Sequence, residues 1–460
     1  MLTARLTPAL SIPPERPALV HTRRRMLWLL CIAVALERLG STLVLSLLVL
    51  YLNEVRGMSQ GTACEWLGWL LFGSYFLSIF GGWLCDRSAR PRWVAAAGTL
   101  AIGAGALGFL SRQPAVLLTA IGLFALGSGL FKPAIPALLS GLYPASAERA
   151  SAFSHYYAGA NVGALAGPLL AESLSGRGQD WSSAFSFAAA CLLLSGMLIW
   201  RLRSAADWHQ KSNLRSSPSF FSSDYRIVLL PLVTAIPLWV LLAQPGGSLM
   251  FLARDHTGPL LFLHQQPLFV PPGAYLSIHA ALVVALTPVL SYGFGRLRLR
   301  GCEPSESARF AMGLFIAAAS CAWLLIAGLL AGDQNRVHPL WLLGFYFVLS
   351  MAEVCAVPVG LSMLGRCLPK GNTGLASALW FATLALSQLV AGRLGSLWER
   401  WPHHSFFLLL LGSMLASSIA WCALSRSWLH RQAQRTGATP HLAAFAPLSN
   451  CESEACHDPA

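Results

Sequence analysis

Apolar runs of about 20 residues, long enough to cross a bilayer, follow one another along most of the chain. Each is closed by a short polar or Gly/Pro-bearing break. Inside hydrocarbon the backbone N–H and C=O groups must be satisfied within the span, so runs of this length can only be helices. The breaks give about twelve spans, at 26–52, 65–85, 93–111, 115–139, 149–174, 182–203, 226–253, 272–296, 306–331, 339–366, 372–398 and 404–428. The expected fold class is an all-α polytopic membrane protein. Composition agrees, since 11% of the 460 residues are charged and 55% are hydrophobic, whereas a soluble domain carries about 25% charged residues.

The formal charge of +13 is spread through short loops and forms no basic domain with interleaved aromatics, so nucleic acid is not an expected partner. Loop arginines mark topology instead. One set of loops carries Arg87, Arg90 and Arg92, then Arg201, Arg203, Lys211 and Arg215, then Arg296, Arg298 and Arg300, then Arg366 and Lys370. The opposite loops hold little beyond Arg56, Arg112, Arg177, Arg336 and Arg400. With an even number of spans, positive-inside bias puts both termini in the cytoplasm. The Arg-rich, Lys-poor composition and the lack of a cleavable leader suit a bacterial inner membrane. The eleven cysteines lie mostly inside apolar runs without a CxxC pair and read as small apolar fillers, so no cofactor or metal is expected.

The longest break, Ser204–Asp224, divides the chain into two halves. The organisation is then a cytoplasmic tail at 1–25, a six-helix bundle at 26–203, a cytoplasmic linker at 204–225, a second six-helix bundle at 226–430 and a disordered tail at 431–460. Cys451, Cys456 and His457 lie in that tail, where disorder is preferred over metal binding. Two halves of this kind are the plan of a transporter built from repeats, with its site at the interface between them. A short echo, GGWLCDRSARPRW after span two and GFGRLRLRG after span eight, fits that plan.

Polar residues inside the spans then need a reason. Glu37–Arg38 interrupts CIAVALERLGSTLVLSLLVLYL, and each charge costs about 2.5–3.5 kcal/mol at the centre of a lone helix. Lys132, one of three lysines, sits in GSGLFKPAIPALL before Pro133 and Pro136. Glu353 lies well inside span ten. Together Glu37, Arg38, Lys132 and Glu353 sum to zero charge, and leaving all four unpaired would cost on the order of 10 kcal/mol. A shared polar cavity is the economical arrangement. Cations on one half and a carboxylate on the other suit a zwitterion, whose carboxylate meets Arg38 and Lys132 and whose amine meets Glu353. Gly159, Gly163 and Gly167 form a ridge for close helix packing. Asn161, off that ridge, is read as bonding either a substrate or a neighbouring helix. Gln244, Pro245, Gly246 and Gly247 interrupt span seven and offer a gate hinge.

In order and spacing, these motifs resemble the proton-dependent oligopeptide transporter family of the major facilitator superfamily. The resemblance runs from about Leu36 to Gly395: ALERLGSTLVLSLLVLYL on the first helix, GGWLCDR after the second, GLFKPAIPALLSGLY on the fourth, YYAGANVGALAGPLL on the fifth and AEVCAVPVGLSML on the tenth. It implies two six-helix bundles of the major facilitator fold, with Arg38, Tyr75, Lys132, Asn161, Trp239, Glu353 and Trp380 as cavity residues. For Trp239 and Trp380 a packing or interfacial role fits the residues equally. The resemblance also implies a gating role for Asp86 and Arg87, with Glu37 and Glu353 as proton-carrying candidates.

Departures from the family pattern are specific. The carboxylate three residues before Glu37 is Val34, the two tyrosines usual after the pair are Ser41 and Thr42, and the acidic residue expected before Gln244 is Ala243. The polar position on span eight is His279, which either titrates near neutral pH or serves structure. Bacterial members often carry two extra helices between the halves, for which Ser204–Asp224 is too short.

The functional expectation is a non-enzymatic, monomeric secondary transporter that takes up di- or tripeptides with protons by alternating access. One alternative keeps the fold but carries a larger, anionic or non-peptide solute by exchange or export. Another is a non-transporting receptor or scaffold, against which the retained Arg38, Lys132 and Glu353 argue. An enzyme is disfavoured because no nucleophile–base or metal-ligand cluster is legible.

Overall fold

A computed structural model describes residues 17–88, 90–143, 146–175, 180–202, 225–263, 266–333, 335–367 and 373–436. The linker expected at 204–225 falls almost wholly outside the described residues, as do the first part of the N-terminal tail and the Cys451–His457 segment. The all-helical expectation holds. The helices are α1 (Pro17–Glu54), α2 (Gln60–Ser88), α3 (Pro91–Gly108), α4 (Pro114–Leu142), α5 (Ser146–Leu174) and α6 (Trp181–Trp200) in the first half. The second half has α7 (Tyr225–Ala243), α8 (Ser248–Asp255), α9 (Pro272–Leu299), α10 (Glu306–Ala331), α11 (Pro339–Cys367), α12 (Thr373–Gly395) and α13 (His403–Thr436). A 3-10 turn at Gln244–Gly246 joins α7 to α8, so these two form one broken crossing and the described helices make twelve crossings. Ten of the twelve are long and apolar enough to span a membrane by themselves. The two that are not, α3 and α5, are respectively short and Gly/Ala-rich, and polar at the start; α3 lies against α4 and α6, and α5 along α1.

Local chemistry places several helix ends. Proline opens α3, α4 and α9, where its missing N–H would have no intrahelical partner. Asp180 caps α6 by accepting from Ser183 N at 3.1 Å, and Ser305 caps α10 by accepting from Ala308 N at 3.2 Å. Gly332 closes α10 with φ +64°, a left-handed conformation that a side chain would resist. Two boundaries differ from expectation. α1 begins at Pro17 and α13 runs to Thr436, because helical hydrogen bonding continues past the apolar stretch into Arg-bearing turns that hydropathy counts as tail.

The two bundles touch mainly at one end. Call the end where α1 starts and α13 finishes the near end, and the opposite one the far end. At the far end α2 and α12 meet backbone to backbone: a Cβ on Gly68 would lie 2.8 Å from Gly392 Cα, and one on Gly61 would lie 2.9 Å from Ser396 Cα. α5 and α9 also cross there, with Ser277 Oγ donating to Leu165 O at 2.7 Å. Polar groups tie the same end: Gln60 N donates to Glu399 Oε1 at 2.5 Å and Gln60 Nε2 to Asp255 Oδ2 at 3.0 Å. Arg254 bridges to Glu54 at 2.8 Å, and Arg393 to Glu65 at 3.2 Å. Beside this closure a short antiparallel hairpin pairs β1 (Leu261–Leu263) with β2 (Gln266–Leu268).

Among the described residues no close helix pair joins α4 to the second bundle, and the near-end half of α9 is almost fully uncovered. Among the described residues the two bundles are joined at the far end and stand apart toward the near end.

Candidate functional site

Side chains from both bundles converge between the halves. On α1, Glu37 is 3% exposed. Its Oε1 accepts from Ser41 Oγ at 2.9 Å, one helical turn on, and its Oε2 lies 3.7 Å from Arg38 Nε. The side chain of Arg38 is about one-third exposed and lies within electrostatic reach of Tyr156 of α5. That proximity depends on the glycine ridge. A Cβ on Gly159 would stand 3.0 Å from Cys31 O and one on Gly167 2.6 Å from Leu39 O, so α5 lies directly on the α1 backbone. Thr42 turns into its own helix, donating to Arg38 O at 2.7 Å. Val34 is fully buried in the core.

On α4, Pro133 and Pro136 lie inside the helix beside Lys132. The Lys132 ammonium sits 3.8 Å from the centre of the Tyr75 ring of α2, a cation–π contact. Tyr75 in turn stacks with Phe381 of α12 at 6.4 Å, and is within electrostatic reach of Arg38 from one half and Glu353 from the other. This ring is the point where the charges of the two bundles meet. Trp239 of α7 and Trp380 of α12 form an edge-to-face pair at 5.7 Å, and the buried Trp239 Nε1 has no partner among the described residues.

On the second bundle, Glu353 of α11 is paired across to α9, with Oε2 3.0 Å from His279 Nε2. The other ring nitrogen, Nδ1, is 2.9 Å from Ser350 Oγ, which donates to Tyr346 O at 2.7 Å. The sequence names all three of these side chains' neighbours on their own helices but not this pairing, which joins positions on separate helices. Ser350 was missed. Its only signal was a serine one turn before Glu353 on the same face.

Asn161 spends its amide nitrogen within α5, on Tyr157 O at 2.8 Å. Gln244 and Pro245 are buried at the break in span seven, with Gln244 Nε2 donating to Val240 O at 3.1 Å and Oε1 accepting from Ser248 Oγ at 2.7 Å. Gly246 completes the 3-10 turn. Asp86 and Arg87 are exposed at the near end of α2, where Arg87 lies over the Trp83 ring at 5.7 Å. No cluster of three or more metal-ligating side chains occurs among the described residues.

Comparisons with known proteins fall on one kind of molecule. The family model described as Major Facilitator Superfamily matches residues 30–391. The peptide transporter YePEPT of Yersinia enterocolitica is 25% identical over 413 residues, covering 74% of this chain and 80% of its own. The dipeptide and tripeptide permease A of Yersinia pestis is 24% identical over 422 residues, covering 78% and 81%. Among solved structures, a peptide transporter POT in complex with sulfate superposes with a TM-score of 0.78 at 22% identity, over 88% of this chain and 95% of that one. A POT family transporter in complex with 5-aminolevulinic acid gives a TM-score of 0.78 at 18% identity, over 88% and 96%.

Proposed function

We propose that this chain, which belongs to the Major Facilitator Superfamily, is a secondary transporter of its proton-dependent oligopeptide branch that takes up di- or tripeptides or similar zwitterions by alternating access. It is an integral membrane protein with ten apolar spanning helices among its described residues. The loop arginines favour both termini in the cytoplasm of a bacterial inner membrane. On that orientation the far end faces outward and the near end faces inward.

The observation that carries the reading is the convergence at Tyr75. Lys132 and Arg38 on the first bundle present cations, and Glu353 on the second presents a carboxylate that is 27% exposed. A dipeptide spans such a gap with its carboxylate toward Lys132 and Arg38 and its ammonium toward Glu353. Binding across both bundles stabilises the state in which they close around the ligand, which is how a substrate biases an alternating equilibrium. Asp86, Arg87 and the Gln244–Gly246 turn are assigned to gating, at the near end and within span seven. The names borne by the relatives, peptide transporter and dipeptide and tripeptide permease, support the cargo class.

Reconstitution in liposomes tests this directly. Labelled dialanine is expected to accumulate under an inward proton gradient and to stop doing so in Glu353→Gln. Dialanine that neither binds nor moves would overturn the peptide reading.

A second reading is favoured by one observation. Ser41 and Thr42, which stand where the family has tyrosines, turn back into α1 and leave that wall with small side chains. A bulkier anionic solute, moved by exchange, fits that wall, and a solute screen in the same liposomes separates the two.

A further inference from the structure

The contact between His279 and Glu353 poses a question of hydrogen count. Ser350 has one hydroxyl hydrogen, and it is given to Tyr346 O at 2.7 Å. The 2.9 Å contact between Ser350 Oγ and His279 Nδ1 therefore needs its hydrogen from the imidazole, so Nδ1 carries N–H. Nε2 then faces Glu353 Oε2 at 3.0 Å. A bare Nε2 and a carboxylate oxygen are both acceptors and repel at that separation, so the pair holds one further proton.

Where that proton sits decides what the site can do. On Glu353 it would remove the negative charge that a substrate ammonium needs. On His279 it leaves an imidazolium and an intact carboxylate. Glu353 Oε1 has no partner among the described residues, so one oxygen remains free for the substrate.

We infer that His279 is the proton-holding residue of this transporter, storing the proton on Nε2 so that Glu353 can bind a substrate ammonium while the site is protonated. This rests on the peptide-transport reading given above. It also accounts for the absence of carboxylates at Val34 and Ala243, since one His–Glu pair serves both tasks.

The step is a simple proton transfer. The Nε2 lone pair takes H⁺ from water and the neutral imidazole becomes imidazolium. When the pair parts, Nε2 returns the proton to water on the other side, with no bond change at Glu353. The groups facing the pair are compatible with this. Tyr346 on α11 lies 5.7 Å from the His279 ring, and Tyr275, one turn earlier on α9, stacks on Tyr346 at 5.9 Å. From α2, Tyr75 faces Glu353. α1 contributes Glu37 and Arg38, α5 contributes Tyr156 and α4 contributes Lys132, all around Tyr75 or Arg38. α10 brings Arg309 over the Phe294 ring of α9, at 4.2 Å. α8 carries Arg254 and Asp255, which are engaged with each other at 2.7 Å at the far end. None of the contacts above gives His279 a second acid partner.

Two measurements on the full-length protein test the inference. Difference infrared spectroscopy on acidification, without peptide, is expected to show imidazolium bands that disappear in His279→Gln and no protonated-carboxyl stretch that disappears in Glu353→Gln. A protonated-carboxyl stretch removed by Glu353→Gln overturns it. In liposomes, His279→Gln is expected to lower the ratio of gradient-driven dialanine accumulation to dialanine counterflow about tenfold, because only the former needs a titrating group. Accumulation and counterflow falling together, or an unchanged ratio, overturns the inference and leaves His279 a structural residue. If the wild type moves no dialanine at all, the cargo reading fails, and the infrared result still decides where the proton is held.

Discussion

Closure of the far end depends on two glycines facing each other, and Gly68→Ala puts that dependence to a quantitative test. The new methyl would stand 2.8 Å from Gly392 Cα and 2.9 Å from Gln388 O, whereas carbon atoms pack comfortably at about 3.5–4.0 Å. Both obstacles are backbone, so no side chain can swing aside. α2 and α12 must separate by roughly 1 Å, and overpacking of this size costs about 1–3 kcal/mol. The whole cost falls on the far-closed state, so the equilibrium moves toward far-open by about 5- to 150-fold. Pulsed electron resonance between genetically encoded spin labels at Gln113 and Leu340, which are exposed on opposite bundles at the far end, reads the two populations. Gly68→Ala is expected to add a longer distance, and Gly392→Ala to do the same. Once the helices have parted, the double variant should add little more. Gly122→Ala is the control, because a Cβ there meets nothing within 4 Å. A Gly68→Ala distribution identical to wild type would refute the argument that backbone contact sets this closure.

Three further outcomes are expected. Lys132→Ala removes the cation held over Tyr75 and should weaken binding of a peptide carboxylate by about 10- to 100-fold, the range of a charged hydrogen bond; unchanged affinity by calorimetry would refute its role as an anion site. Arg38→Met leaves Glu37, 3% exposed, without its counter-charge; the cost should be about 1–3 kcal/mol, below the full buried-pair penalty because Arg38 is partly solvated, and Glu37→Gln in the same chain should recover most of it in thermal unfolding. At the far end, burial lowers the pKa of His256, which meets the His403 ring at 4.4 Å. Its folded pKa lies below the unfolded value of about 6.5, so the unfolded chain binds more protons in the interval, and the stability from neutral His256 is lost as pH falls below about 6.5. Thermal unfolding at about pH 7.5 and about pH 5 should show this slope, and His256→Phe should flatten it; an undiminished slope in that variant would refute the assignment.

The fold was legible because bilayer chemistry leaves so few choices: long apolar runs must be helices, and short breaks order them. The charged residues were legible for the same reason, since Glu37, Arg38, Lys132 and Glu353 are costly unless gathered. What each charge touches was not. Glu37 is held by Ser41, whose hydroxyl looked like the loss of a tyrosine rather than a tether. His279 and Glu353 meet across two helices, and sequence periodicity describes one helix at a time. Asn161 satisfies itself on Tyr157 O because a side-chain amide in a membrane helix can reach back one turn, a choice that local sequence leaves open. The hairpin pairing Leu261–Leu263 with Gln266–Leu268 had no signal above that of a polar break, being three residues a side.

The break in span seven also redraws the mechanical boundary. α8 belongs to the second bundle by chain order, yet its last turn is fastened to the first: Arg254 grips Asn53 and Glu54 at the end of α1, and Asp255 is gripped by Gln60 at the start of α2. Its Ser248–Ala253 stretch is buried throughout. Between α7 and α8 lie only the Gln244–Gly246 turn and Gly247. In the far-closed state the end of α8 is therefore a bridge between the bundles: Arg254 and Asp255 hold the first, while His256 and Gly258 just beyond hold Val337 of the second through backbone bonds of 2.8 and 2.9 Å, so parting the far end means giving up the grip of Arg254 and Asp255.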